Sequence, residues 1–159
     1  MKVVNAVFPS SDQFEDFFGA PDDGPFVMVN LLKFKEKAEY EDGSDADLSG
    51  RDAYARYGAV VTGLIEALGG RIRYSGAVTG LLLGEVDDLW DAVALAEYPS
   101  LAAFQAMAVS PEMHAIEHHR KAGLAGQLNI RTRPAQGFEP RDLHNDDRMW
   151  KPELAGALN

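Results

Sequence analysis

The sequence predicts an α+β protein with a βαββαβ chain order. Three observations lead there. Phe26 to Phe34 and Trp90 to Tyr98 read as strands, and each is followed by helical periodicity and then another strand. Apolar residues between Arg51 and Leu68 recur on one helical face. The chain has 159 residues and is 46% hydrophobic, which fits one domain with room for an extra arm.

Taken in order, Lys2 to Phe8 alternates weakly and is expected to form a short strand. Ser10 or Ser11 is placed to cap a helix over Asp12 to Phe18, stopped by Gly19 and Pro21. Residues 21–25 are a turn cluster. In the strand Phe26 to Phe34, Val27, Val29 and Leu31 share one face. Met28, Asn30, Leu32 and Phe34 share the other. Both faces are largely apolar, as in a strand covered on both sides. Lys35 to Gly50 is a charged loop resembling a flap. Ser49 with Asp52 reads as a capping box, so a helix starts near Gly50. Its inward face carries Tyr54, Tyr57, Val61, Leu64, Ile65 and Leu68, and Gly69 with Gly70 ends it.

Arg71 to Glu85 is expected to be a long strand with Ile72, Tyr74, Gly76 and Val78 on one face, bent at Gly76, Gly80 or Gly84. After a turn at Val86 to Leu89, Trp90 to Tyr98 returns antiparallel. Ser100 caps a helix with Leu101, Phe104, Met107 and Ala108 inward. Ser110 and Pro111 start a second helical segment, closed by Gly123. Leu128 to Arg133 alternates as the last strand. The plan therefore has an N-terminal extension (1–25), a core domain (26–134) and an extended C-terminal arm (135–159). In the arm, Leu143, Met149 and Trp150 are apolar anchors suited to docking on a neighbouring subunit.

Net charge is −10 and the pI is near 4.7, so a nucleic-acid backbone would be repelled. The absence of cysteine excludes disulfides, thiolate nucleophiles and zinc–thiolate sites, and suits a reducing compartment. The N-terminus lacks the long apolar core of a signal peptide, and no apolar run approaches the ~20 residues of a membrane span. A cytoplasmic protein without a membrane partner is expected. The βαββαβ order gives a four-stranded antiparallel sheet with its helices on one face. The other face needs a cover, and a second copy supplies it as a dimeric α+β barrel.

Several residue groups together resemble a known bacterial family. They are Phe26 to Leu31, Arg56 to Gly58, Gly69 to Arg71, Glu97 to Ser100, Ala103 with Phe104, Ser110 to Glu112, and His119 to Gly123. The chain is similar over roughly residues 26–134 to the family named domain of unknown function 1330. The resemblance implies a ferredoxin-like protomer and a barrel homodimer. It implies no activity and brings no catalytic residue.

Candidate chemistry comes from polar residues on inward faces. In the last helical segment Met113, Ile116, His119 and Arg120 share one arc; His114, Glu117, His118 and Lys121 share the other, where Glu117 and Lys121 are spaced to pair. An Arg beside a His can clamp a carboxylate or enolate; the plainer reading is that Arg120 caps a helix or pairs with an acid and His119 hydrogen-bonds backbone. His114 and His118 have metal-ligand spacing but lack a third ligand, so no metal site is expected. Asn30 either satisfies its amide internally or meets a ligand. Tyr54 and Tyr57 are core residues or the polar lining of an apolar pocket. Asn30, Trp90 and a histidine loosely match the set used by haem-degrading barrel oxygenases.

Candidate ligand-binding residues are thus Asn30, Tyr54, Tyr57, Trp90, His119 and Arg120, with His119 and Tyr57 as catalytic candidates. Two classes of function remain. One is a cofactor-independent enzyme (oxygenase, isomerase or lyase) acting on a small apolar or aromatic carboxylate or enol. The other is a homodimer that binds a small organic anion without turnover or serves only as structure. A haem-degrading oxygenase is a third and weaker option.

Overall fold

The computed structural model describes residues 1–135; the expected C-terminal arm, with Leu143, Met149 and Trp150, lies outside the described residues. The elements run α1 (Ser11–Gly19), β1 (Phe26–Phe34), α2 (Gly50–Ala67), β2 (Arg71–Ala77), β3 (Ala92–Tyr98), α3 (Leu101–Ala108), α4 (Pro111–Gly123) and β4 (Leu124–Thr132). Each helix starts where a hydroxyl can take an orphan amide: Ser10, Ser49, Ser100 and Ser110 accept from the N–H three residues on. At α1, Gln13 Oε1 also accepts from Ser10 N (3.1 Å), which completes a reciprocal box.

The four strands form one antiparallel sheet in the order β2-β3-β1-β4. Phe26, Met28, Ala96 and Tyr98 point to the helices and bury against Val61 and Ile65 of α2, Leu101 and Met107 of α3, and Met113 and Ile116 of α4. Phe17 and Phe18 of α1 add to this core, with Phe18 stacked 5.6 Å from Phe104. Asn30 lies on the same helix-facing side as Met28 and Leu32, so the apolar alternation of β1 carries one amide into the interior.

The opposite side of the sheet contributes nothing to the buried core. There Val29 pairs with Leu95 and Ile130, and Leu31 pairs with Val93 and Leu128. Charge brackets this apolar strip. Glu97 pairs with Arg71 and Arg73, and Lys33 pairs with Asp88 (3.0 Å) and Asp91 (3.4 Å).

α2 and α4 cross backbone to backbone. A Cβ on Gly123 would lie 2.7 Å from Tyr54 N and would meet Gly50 O; one on Gly50 would lie 2.7 Å from Gly123 O and would meet Lys35 O. Only glycine permits that approach, and it fixes the spacing between the two helices.

Several expectations are corrected. The N-terminal strand is a single bridge between Ala6 and Gln127. β2 stops at Ala77, because the glycines that mimic alternation beyond it lie in a loop that exposes Leu81, Leu82 and Leu83. A bulge between Ile72 and Tyr74 separates residues expected on one face: Ile72 opposes Ala96 on the helix side, and Tyr74 opposes Leu95 on the other. Trp90 precedes β3 instead of opening it. β4 begins at Leu124, four residues before the expected Leu128, because the chain passes from helix to strand without a turn. At α2, Ser49 makes its half of the capping contact.

Candidate functional site

Two adjacent residues of α4 lead to two different places. Arg120 points inward to β4 and donates from Nη2 to Gln127 Oε1 (2.8 Å). Gln127 Nε2 donates to Asn30 Oδ1 (3.0 Å) and also bonds Asn129 Oδ1. Asn30 Nδ2 is in turn spent on the backbone oxygens of Met28 (3.2 Å) and Ala94 (3.1 Å). The Arg120 side chain is 12% exposed and Gln127 7%. In so dry a place each bond matters, since leaving one of these groups unpaired costs roughly 1–3 kcal/mol. The Phe8 ring lies 5.5 Å from the guanidinium. Glu117 Oε2 lies 3.9 Å from Arg120 Nη1, beyond hydrogen-bond reach. That carboxylate oxygen is buried and has no hydrogen-bond partner among the described residues.

Tyr54 and Tyr57 pack beside this network, their rings 5.4 Å apart. Burial pushes the Tyr54 phenol up to about 12, and burial together with neighbouring Tyr54 raises Tyr57 well above its usual range. Both phenols stay protonated at neutral pH. The Tyr57 hydroxyl donates to the Met113 sulfur, at 3.8 Å.

His119 points the other way, toward the loop between β1 and α2. Its Nδ1 is 2.7 Å from Tyr40 Oη. Arg56 Nη1 reaches the same phenol oxygen (3.4 Å) and is itself held by Asp45 (2.7 Å). The His118 ring lies 3.9 Å from that of His119. Burial first, then the His118 and Arg56 charges, lower the His119 pKa from its ordinary 6.5, so the imidazole is neutral at physiological pH. Tyr40 and His118 line a groove of about 390 Å³ with Phe8, Glu39, Asp42, Glu117 and Lys121. Such a volume suits a small molecule.

Asn30, Tyr54, Tyr57 and Arg120 thus gather on the inner side of α4, and His119 lies apart from them with Tyr40. Trp90 is elsewhere too, donating from Nε1 to Asn5 Oδ1 (2.9 Å). Asn30, Trp90 and His119 share no bond. Among the described residues no three His, Cys, Asp or Glu side chains are grouped to hold a metal ion. The pairing expected between Glu117 and Lys121 is replaced: Lys121 bonds Glu41 from the flap, and Glu117 turns toward Arg120. Sequence reasoning missed Tyr40, Arg56 and Gln127. Tyr40 sits in an aperiodic charged loop, Arg56 on the polar face of α2, and Gln127 in the part of β4 that was expected to be a connection. The one available signal was a lone tyrosine amid the charges of the flap.

The strand order β2-β3-β1-β4 with helices on one face defines a ferredoxin-like α+β protein. The chain belongs to the family described as Domain of unknown function (DUF1330), whose model matches residues 44–131. It is similar to the RPA0582 protein of unknown function from Rhodopseudomonas palustris, with 33% identity over 84% of this chain and 99% of that one and a TM-score of 0.75. The structure of methylated RPA0582 protein gives 33% identity, coverage of 86% and 100%, and a TM-score of 0.77. The fold is also similar to At3g17210 from Arabidopsis thaliana, at 16% identity, coverage of 69% and 95%, and a TM-score of 0.50. No curated protein matches. No helix of the described residues is long and apolar enough to cross a membrane.

Proposed function

We propose that this protein is a small cofactor-independent isomerase that moves a proton on an aromatic enol or enolisable carbonyl compound. The observation that carries the reading is the 2.7 Å contact between His119 Nδ1 and the Oη of Tyr40, a residue that lines the groove. With its proton on Nδ1, a neutral His119 donates to the Tyr40 oxygen and leaves the phenol O–H free to turn to substrate, and the Arg56 guanidinium beside the oxygen stabilises the charge that develops there. In the enol-to-keto direction Tyr40 gives its proton to the α-carbon and the enol O–H proton leaves to a groove carboxylate. His119 then passes its Nδ1 proton to the phenolate and regains one from solvent, and the carboxylate releases the enol proton to solvent, which closes the cycle. No redox step is needed.

The groove argues for a neutral substrate over the small organic anion expected from sequence. Glu39, Glu41, Asp42 and Glu117 line it, and Lys121, the lining lysine, is already paired with Glu41, so an incoming anion meets carboxylates and like charges repel. The test is the conversion of an aryl 1,3-diketone from enol to keto form, followed by loss of the enol absorbance. Tyr40→Phe should slow it about a hundredfold, the usual weight of a positioned acid or base. An unchanged rate in Tyr40→Phe, or no turnover of any neutral enol by the native protein, would sink the proposal.

A second observation supports a homodimer. The sheet face away from the helices is an apolar strip with charged ends, the composition of an interface core and rim. A second copy covers it as a dimeric barrel. Leu95→Asp should yield monomers in sedimentation; a native protein that is already monomeric at micromolar concentration would rule the dimer out.

A further inference from the structure

Glu117 and Arg120 form a long ion pair with no hydrogen bond between them. The carboxylate oxygen Oε2 is buried and without a hydrogen bond, and lies 3.9 Å from Arg120 Nη1. A buried carboxylate oxygen without a hydrogen bond is costly, so a group that reached the pair from the groove, which Glu117 lines, would supply the missing bond. A second carboxylate would meet Glu117, so an anion fits poorly. A neutral group with one donor and one acceptor fits well: its donor satisfies Glu117 and its acceptor takes an Arg120 N–H.

The pair sits behind the N-terminal segment. Glu117 and Phe8 both line the groove, and the Phe8 ring covers the guanidinium at 5.5 Å. The segment is lightly held. Ala6 exchanges two backbone bonds with Gln127 (3.2 and 2.9 Å), Asn5 accepts from Trp90, and Val7 packs on the cluster around Leu32 and Leu124. Residues 1–6 are otherwise exposed. Opening costs few contacts, so a bound ligand can offset it.

We propose that Glu117 and Arg120 form a seat for a neutral donor–acceptor group, such as an enol or a primary amide, and that Phe8 covers the seat until the ligand enters. The seat rests on the same groove as the proton-transfer reading but is tested by binding alone. Benzamide, methyl benzoate and benzoate are titrated against the full-length protein by calorimetry. Benzamide carries donor and acceptor, the ester only an acceptor, and benzoate a charge. Benzamide should bind about tenfold more tightly than either, the worth of one hydrogen bond to a charged group. Glu117→Ala should erase that preference. Phe8→Ala should raise benzamide affinity, and Ala6→Pro, which removes one bond holding the segment, should shift it the same way. Equal binding of the three probes, a preference that survives Glu117→Ala, or no gain from either strap variant would overturn the proposal. Diketone turnover can fail while benzamide selectivity stands, and the reverse, so the two ideas fall separately.

Discussion

His119 and Arg120 are neighbours in the chain and opposites in the fold. A helix turns about 100° per residue, enough to send one side chain toward the flap and the next toward the sheet. Arg120 Nη2 ends in a chain of bonds through Gln127 to Asn30 and the backbone. His119 ends on another proton carrier, Tyr40, at the edge of open space. The difference separates two meanings of an inward polar residue. One that finds complementary partners specifies the packing of helix on sheet. One that meets a titratable group beside a groove is placed for chemistry.

The comparison can be broken most severely at the helix crossing. Gly123→Val would drive a side chain into Gly50 O and Tyr54 N, so it should cost about 3 kcal/mol in urea denaturation. It should also disturb both sides of α4 at once. Tyr40→Phe should spare the inner side. Its loss of turnover should come with only about 1 kcal/mol of stability, because the short bond to His119 is partly exposed and the one from Arg56 is long.

Arg120→Ala sharpens the contrast from the other direction. Gln127 Oε1 loses its donor, so thermal unfolding should reveal a cost of about 2 kcal/mol, while the Tyr40–His119 pair keeps its geometry. A variant as stable as the native protein would show that the inner network has no structural weight. The smallest effect concerns pH. Folding lowers the His119 pKa below 6.5, so the folded state binds that proton less readily than the unfolded state. This contribution to stability is whole above pH 6.5, declines as pH falls beneath it, and levels off once the lowered folded value is passed. The stability gap between native protein and His119→Asn should narrow in that range, read from melting temperatures across a pH series.

What the sequence disclosed follows from periodicity. β1, α2, α3 and α4 were legible because their apolar residues repeat at a period of two or between three and four, with serine at each helix start. β2 was overextended because Gly76, Gly80 and Gly84 keep an even spacing that alternation alone cannot tell from a strand. Arg120 was correctly placed inward, yet its partner was hidden: Gln127 precedes the alternating stretch that marked β4. Tyr40 was invisible for a different reason. Its position depends on how residues 35–49 fold back, with Ala38 N bonded to Leu48 O and Glu39 N to Ala122 O, and no local period encodes such a return.

The bulge in β2 has its own consequence. Ile72 opposes Ala96 and Tyr74 opposes Leu95, so Arg73 is one residue more than the pairing counts. A chain shortened by Arg73 alone would keep both neighbours on their present partners and present a regular ladder. A chain lengthened there would have to slip or loop out. The strand is therefore asymmetric toward change in length: it has a residue to spare, and what that residue supplies is its ion pair with Glu97 at the rim of the open sheet face.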